Sequence, residues 1–217
     1  MSLSVQLLEI YKRLFQTYGP QHWWPADDPF EVCIGAILTQ STAWVNVEKA
    51  ITNLKEAGAL DPVTVRDMPF DRLADLIRPS GYYNAKARKL RAFANRLKDY
   101  SDSLDALFDA DVSQLRTELL SIYGIGPETA DSIILYAARK PVFVIDAYTH
   151  RIMDRLRLNP NYGSYEALQA VFAYHIPADE ATFNEYHALF VRHGKEVCRK
   201  TIPLCQGCPL GDMCYFE

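Results

Sequence analysis

Apolar residues recur at three- and four-residue intervals in Val5–Tyr18, Phe30–Leu38, Val45–Leu54, Leu73–Ile77, Ala87–Leu97, Leu115–Tyr123, Ala130–Ala138, Ala147–Leu156, Tyr165–Tyr174 and Phe183–Val191. That spacing lays an apolar stripe along one face of a helix and predicts an all-α fold. Start signals agree with it. Asp28-Pro29 reads as an N-cap followed by proline at the first helical position, and Ser164 and Asp179 are placed to cap the segments after them. Only Pro141–Ile145, PVFVI, has strand-like composition, and with no partner segment it predicts an extended connector. The chain holds no internal repeat or low-complexity tract.

The 217 residues are 49% hydrophobic, enough for one large core or two modest ones sharing an interface. No apolar run reaches the roughly 18 to 20 residues of a membrane span, and the amphipathic start MSLSVQLLEIYKRLF does not read as a signal peptide, so a cytoplasmic protein is expected. No dimer-forming pattern stands out, and a monomer is expected. The net charge of −4 argues weakly against a nucleic-acid partner, but its distribution changes that picture. Between Arg78 and Lys98 lie seven basic residues, Arg78, Lys86, Arg88, Lys89, Arg91, Arg96 and Lys98, and no acid. Arg192, Lys195, Arg199 and Lys200 form a second cluster; either group is a solvated helix face or a phosphate-binding one.

Four of the five cysteines stand in the tail as Cys198-x6-Cys205-x2-Cys208-x5-Cys214. Disulfides fit a reducing cytosol poorly, and a structural zinc commonly pairs its ligands as two C-x-x-C knuckles, where this tail has only Cys205 and Cys208. Four thiolates on one compact loop suit a [4Fe–4S] cube, whose iron corners each take one cysteine. Such a cluster, with every iron filled by thiolate, defaults to a structural role. Cys33, on an apolar helical face, reads as a core residue.

Gly124-Ile125-Gly126 separates two helical segments, and Pro127 opens the second. The glycines permit positive φ and close backbone approach. The turn is either an ordinary αα-connection or one whose amides grip a phosphate oxygen. Asp146 follows PVFVI and precedes the helix beginning near Ala147. It reads as an N-cap, as a catalytic carboxylate held ionised by the helix dipole, or as both.

Taken together, the helix-hairpin-helix at Ile122–Ala130, the downstream Asp146 and the cysteine tail resemble the endonuclease III superfamily of DNA base-excision glycosylases. The resemblance covers nearly the whole chain. It implies a six-helix barrel domain with the hairpin, over 28–140, and a cluster domain formed by both chain ends, 1–27 and 141–217. It also implies duplex DNA with a damaged base as partner, the base flipped into the cleft between the domains. The lysine that lets the bifunctional members nick the strand is replaced by Glu128 in GIGPETA, so this chain resembles a monofunctional enzyme that leaves an abasic site. Three stretches, WWPADDPFEVCIGAILTQSTAW, RPSGYYNAKARKL and GIGPETADSIILY, are similar to the 3-methyladenine DNA glycosylase III type.

All three tryptophans fall between residues 23 and 44. Core packing is the plain explanation, yet an alkylated purine is cationic and an aromatic sandwich attracts it by roughly 0.5–2 kcal/mol per face. In that reading Trp24 and Trp44 stack on the flipped base, Trp23 and Pro25 shape the wall, and Lys195 faces the pocket. A cationic base leaves without protonation, so Asp146 alone can serve, by taking a proton from water or stabilising the oxocarbenium-like sugar. The resemblance further implies that Gln40 or Ser41 fills the gap left by the flipped base and that Tyr82 wedges the other strand. Gly124 and Gly126 would bind backbone, with a monovalent cation on hairpin carbonyls. Lys86, Arg88, Arg199 and Lys200 would contact phosphates.

The expected function is therefore excision of alkylated, 3-methyladenine-like purines in base excision repair. An endonuclease III-like enzyme for oxidised or deaminated pyrimidines or mismatches, with or without lyase activity, and a non-catalytic iron–sulfur DNA-binding module are the alternatives.

Overall fold

An apolar run without a polar face cannot lie on a surface, and the segment after Asp28 is such a run: every residue from Phe30 to Leu38 is buried. A computed structural model describes residues 2–24, 26, 28–159 and 164–216. It divides the chain into two compact units, Ala26–Arg139 and Met1–Pro25 with Lys140–Glu217.

In the first unit, α2 (Pro29–Leu38) is the central helix. Around it pack α3 (Trp44–Glu56), α6 (Tyr83–Leu97), α9 (Pro127–Ser132) and the π-helical continuation of α9, Ile133–Ala137. The short helices α4 (Pro62–Asp67) and α5 (Phe70–Leu76) lie on α6, and α8 (Val112–Leu120) lies on α9. A single turn, α7 (Leu104–Phe108), precedes α8. Asp28 caps α2 by accepting the Glu31 backbone N–H at 3.0 Å.

The second unit contains α1 (Leu3–Tyr18), α10 (Ala147–Arg155), α11 (Tyr165–His175) and α12 (Glu180–Glu196). Helix α12 packs against α1 and α10, and α1 against α11. Its core is aromatic: Phe143 stacks on Phe172 with centroids 3.8 Å apart, and Phe183 and Tyr186 meet Phe143 edge-on. Residues 141–145 are an extended connector, and Phe143, Val144 and Ile145 are almost fully buried. No helix among the described residues is long and apolar enough to cross a membrane.

The helical reading of the sequence holds, with two additions. Helices α4 and α7 are too short to display a periodic stripe; each instead begins at a side-chain cap, Asp61 or Ser103. Cys33 is fully buried, as its helical face predicts.

Lys86 requires a correction. Within the basic run it reads as a phosphate contact, but it is 2% exposed and its ammonium donates to the carbonyls of Leu38 at 2.8 Å and Ser80 at 2.6 Å. It ties the end of α2 to the turn preceding α6, and has no surface to offer a phosphate. Burial, with Lys89 nearby, lowers its pKa to about 8. Lys86→Met leaves two buried carbonyls without a donor and is expected to destabilise the protein by about 1–3 kcal/mol at pH 7 in urea titration. From pH 8 upward toward the ordinary lysine range, the unfolded chain keeps a proton that the folded chain has lost. Stability from this group therefore rises with pH in that window, and the variant lacks the rise. The salt slope of DNA binding stays at the wild-type value, whereas loss of a phosphate contact would reduce it by about one.

Candidate active site

Asp146 is the N-cap of α10 and is 9% exposed. Its Oδ1 accepts the Thr149 backbone N–H at 2.7 Å and the Thr149 hydroxyl at 2.9 Å. Its Oδ2 lies 3.6 Å from Nε2 of His187, a buried residue of α12. Burial alone would raise the carboxyl pKa; His187 and the two Thr149 hydrogen bonds outweigh it and hold Asp146 below the usual carboxylate range. The residue is thus a cap through one oxygen, and the other oxygen faces the imidazole. The carboxylate also raises the pKa of Tyr148, although burial contributes more to that rise.

Where the chain leaves this unit after α1, the rings of Trp23 and Trp24 meet edge-on at 5.7 Å, both half-buried. Lys195, exposed on α12, holds its ammonium 5.7 Å from the centroid of Trp23. That is within the range of a cation–π contact. Pro25 lies outside the described residues.

The cysteine loop leaves the end of α12. Cys198 donates its backbone N–H to the His193 carbonyl at 2.8 Å, and successive turn bonds join Cys208 to Cys205, Gly211 to Cys208 and Cys214 to Gly211. Gly207 takes φ +76° between the second and third cysteines, a conformation that favours glycine. All four cysteines are free thiols and line one cavity of about 130 Å³. No group of three or more His, Cys, Asp or Glu side chains among the described residues is arranged to hold a metal ion. Four cysteines on the lining of one cavity are a donor set of the number and kind that a [4Fe–4S] cube takes. His193 backs the loop: Nδ1 is 2.8 Å from the Tyr18 hydroxyl and Nε2 is 3.8 Å from Cys208 Sγ. Burial, aided by Arg151, lowers the His193 pKa to about 4.

Arg199 and Lys200 are exposed on this loop. Lys200 lines an open cavity of about 690 Å³ together with His150, Arg151, Arg157 and Tyr215.

In the other unit, Gly124 has φ +82°, and an added Cβ would meet the stem of Lys89 at 2.3–2.8 Å. Glycine is required there for conformation and for space alike. Gly126, with φ −98°, begins α9, and Pro127 and Glu128 form its first turn. Ile125 donates to the Ile122 carbonyl at 3.1 Å, closing the hairpin.

Gln40 is the second correction. Its amide donates to the Gly124 carbonyl at 3.1 Å and to the Thr129 hydroxyl at 2.9 Å, and its Oε1 accepts from the Lys89 ammonium. A side chain held at three points braces the hairpin and is not a projecting finger. It also supplies a donor to a hairpin carbonyl that the sequence reading offered to a monovalent cation. Ser41 is exposed with φ 54°, and Tyr82, 75% exposed, takes φ 46° at the head of α6. His22, Ser101, Asp102, Arg139 and Arg157 share this left-handed backbone, so it does not by itself single out Ser41 and Tyr82. Arg88 is exposed, its guanidinium 6.0 Å above the Phe70 ring. Trp44 opens α3 half-buried and donates its indole N–H to Glu48 at 2.9 Å.

Sequence reasoning did not single out His187, His193, Arg155 or Thr149, and it read Lys89 only as one of the basic run. Only Thr149 carries a local signal, three residues beyond its cap.

The geometry agrees with the comparisons to known proteins. Residues 34–176, more than half the chain, match the HhH-GPD superfamily of base excision DNA repair proteins. The Methanocaldococcus jannaschii protein MJ1434, whose name gives it a provisional place among DNA repair glycosylases, is 45% identical over 97% of this chain and 96% of its own. Endonuclease III of Thermotoga maritima is 31% identical, over 87% and 84%. The H. pylori 3-methyladenine DNA glycosylase MagIII, solved with 1,N6-ethenoadenine bound, superposes with a TM-score of 0.77 at 28% identity, covering 90% of this chain and 98% of that one. The chain belongs to the HhH-GPD superfamily of base excision DNA repair proteins.

Proposed function

We propose that the chain is a monofunctional DNA glycosylase that releases alkylated purines from duplex DNA in the cytosol. The observation that carries the reading is Asp146: a buried carboxylate kept ionised, one oxygen spent on the helix cap and the other beside His187. In this mechanism Asp146 Oδ2 takes a proton from water as the water oxygen bonds to C1′ of the sugar. The N-glycosyl bond breaks with its electron pair going to the base, whose positive charge it cancels. Free base and an abasic site result. Glu128 supports monofunctionality, since it offers no amine to the sugar.

Trp24 and Trp44 are assigned to stacking on the flipped base, and Trp23, with Lys195 over its ring, to the wall. The name of MagIII, a 3-methyladenine DNA glycosylase 28% identical and solved with 1,N6-ethenoadenine, supports a modified purine as the base. Ser41, rather than the braced Gln40, is assigned to the gap and Tyr82 to the wedge. Backbone at Gly124 and Gly126, with Arg88, Arg199 and Lys200, is assigned to phosphates. The first unit serves as the barrel domain and the second as the cluster domain. Cys198, Cys205, Cys208 and Cys214 would hold a [4Fe–4S] cluster, which supplies a structural frame with no open coordination position.

A second reading, excision of oxidised or deaminated pyrimidines, is favoured by the identity with endonuclease III. Methylated duplex DNA separates the two. Wild-type protein is expected to release methylpurines and to leave strand breaks only after alkali, with release falling at least about 10²-fold in Asp146→Asn. No release from methylated DNA, with release from oxidised or deaminated pyrimidine substrates, would favour the second reading. Tight DNA binding with no abasic product from either set would leave a non-catalytic module.

His187 sets the acid limit of the reaction. The Asp146 pKa is lowered, so single-turnover base release should persist below the usual carboxylate range and fail as the carboxylate protonates. In His187→Leu, burial acts with less opposition, and the acid limb of the pH–rate profile is expected to move upward. An unmoved limb would remove His187 from the site.

A further inference from the structure

Arg155 is the last residue of α10 and is 9% exposed, an unusual place for a guanidinium. Its Nη1 donates to Cys198 Sγ at 3.1 Å and to the Arg199 carbonyl at 2.9 Å, and its Nη2 donates to the Lys200 carbonyl at 3.3 Å. The Phe216 ring covers it, with its centroid 4.0 Å from the guanidinium carbon. The Arg155 carbonyl serves the other end of the loop. It accepts the Tyr215 backbone N–H at 2.9 Å and faces the Cys214 thiol at 3.6 Å. Arg155 also lines the cavity that the four cysteines share.

We infer that Arg155 is the positioning residue that joins the two ends of the cysteine loop and keeps Cys198 and Cys214 set for the cluster. The inference rests on the cluster reading above. Its chemistry follows from charge. Four thiolates around a cluster concentrate negative charge in a part-buried place, and a buried charge needs a counter-charge within hydrogen-bond reach. A guanidinium on a thiolate is a charge-assisted bond, and the planar fork satisfies one sulfur and two carbonyls together. A lysine ammonium has the charge but not the fork. Arg157, two residues on, stacks its guanidinium 4.7 Å over Tyr215 and is exposed, so it adds positive charge to the same tail by a different contact.

The test uses the full chain purified without oxygen, with iron and acid-labile sulfide per chain and the decay of visible absorbance under air and EDTA as readouts. Arg155→Met is expected to lose absorbance about tenfold faster than wild type. Arg155→Lys should fall between them, and Arg157→Gln should decay as wild type does. Far-UV circular dichroism checks folding. If Arg155→Met does not fold, the lysine variant decides, because it retains the charge. A wild-type decay rate in a folded Arg155→Met, or in Arg155→Lys where that variant decides, overturns the inference. So does an Arg157→Gln decay as fast as that of Arg155→Met, which would reduce the effect to general charge. A wild-type protein carrying neither iron nor sulfide fails at the earlier step and removes the cluster reading itself, and with it the inference.

Discussion

Helix α10 is fixed at both ends by side chains that do more than end a helix. Asp146 supplies the cap that its first turn needs and retains a carboxylate oxygen beside His187. Nine residues on, Arg155 closes the last turn and turns its guanidinium to the cysteine loop. At 1.5 Å per residue the two are about 14 Å apart along a rigid element. Both belong to the same unit, and α12 flanks α10 with His187 and, near its end, His193 behind Cys208. A loop that anchors the end of α10 therefore also bears on where its start is held. This gives the proposed cluster a reason to exist without electron transfer: it fixes a loop too short to have a hydrophobic core of its own.

The fold was legible because helices advertise themselves by period and by cap. Apart from α2, buried at every residue from Phe30 to Leu38, the long helices carry an apolar stripe, and Asp28, Ser164 and Asp179 cap where their side chains predict. The extended connector was legible because PVFVI had no partner strand. Helices α4 and α7, at six and five residues, have less than two turns in which a period could appear.

The site was legible only in part, because function-bearing types recur at positions set by tertiary contacts. Asp146 announced itself by following a buried connector and preceding a helix. His187 did not, since nothing within its own helix distinguishes it from a core residue; only the approach of α10 gives it a role. The basic run from Arg78 to Lys98 misleads for a related reason. Lys86 and Lys89 turn inward to carbonyls and an amide, Arg78 meets Asp75, Arg91 meets the Met68 carbonyl, and Arg96 meets Asp99 and Glu118. Counting charges along a sequence cannot separate cations facing water from cations already spent within the fold.

That internal use of charge bears on how a chain of net charge −4 can work on DNA. Counterion release scales with the phosphates neutralised by cations, so each cation held within the fold is one fewer for the duplex. Backbone donors at a glycine hairpin position DNA without adding to that term. A base excision enzyme meets far more undamaged than damaged pairs and has to leave them. In the proposed enzyme the energy for extracting a base would come from contacts made only when the base is out, the role assigned above to Ser41, Tyr82 and the indole faces. Under the alkylated-purine proposal, selectivity would rest on the damaged base itself, since a cationic purine gains at an aromatic face what a neutral one does not.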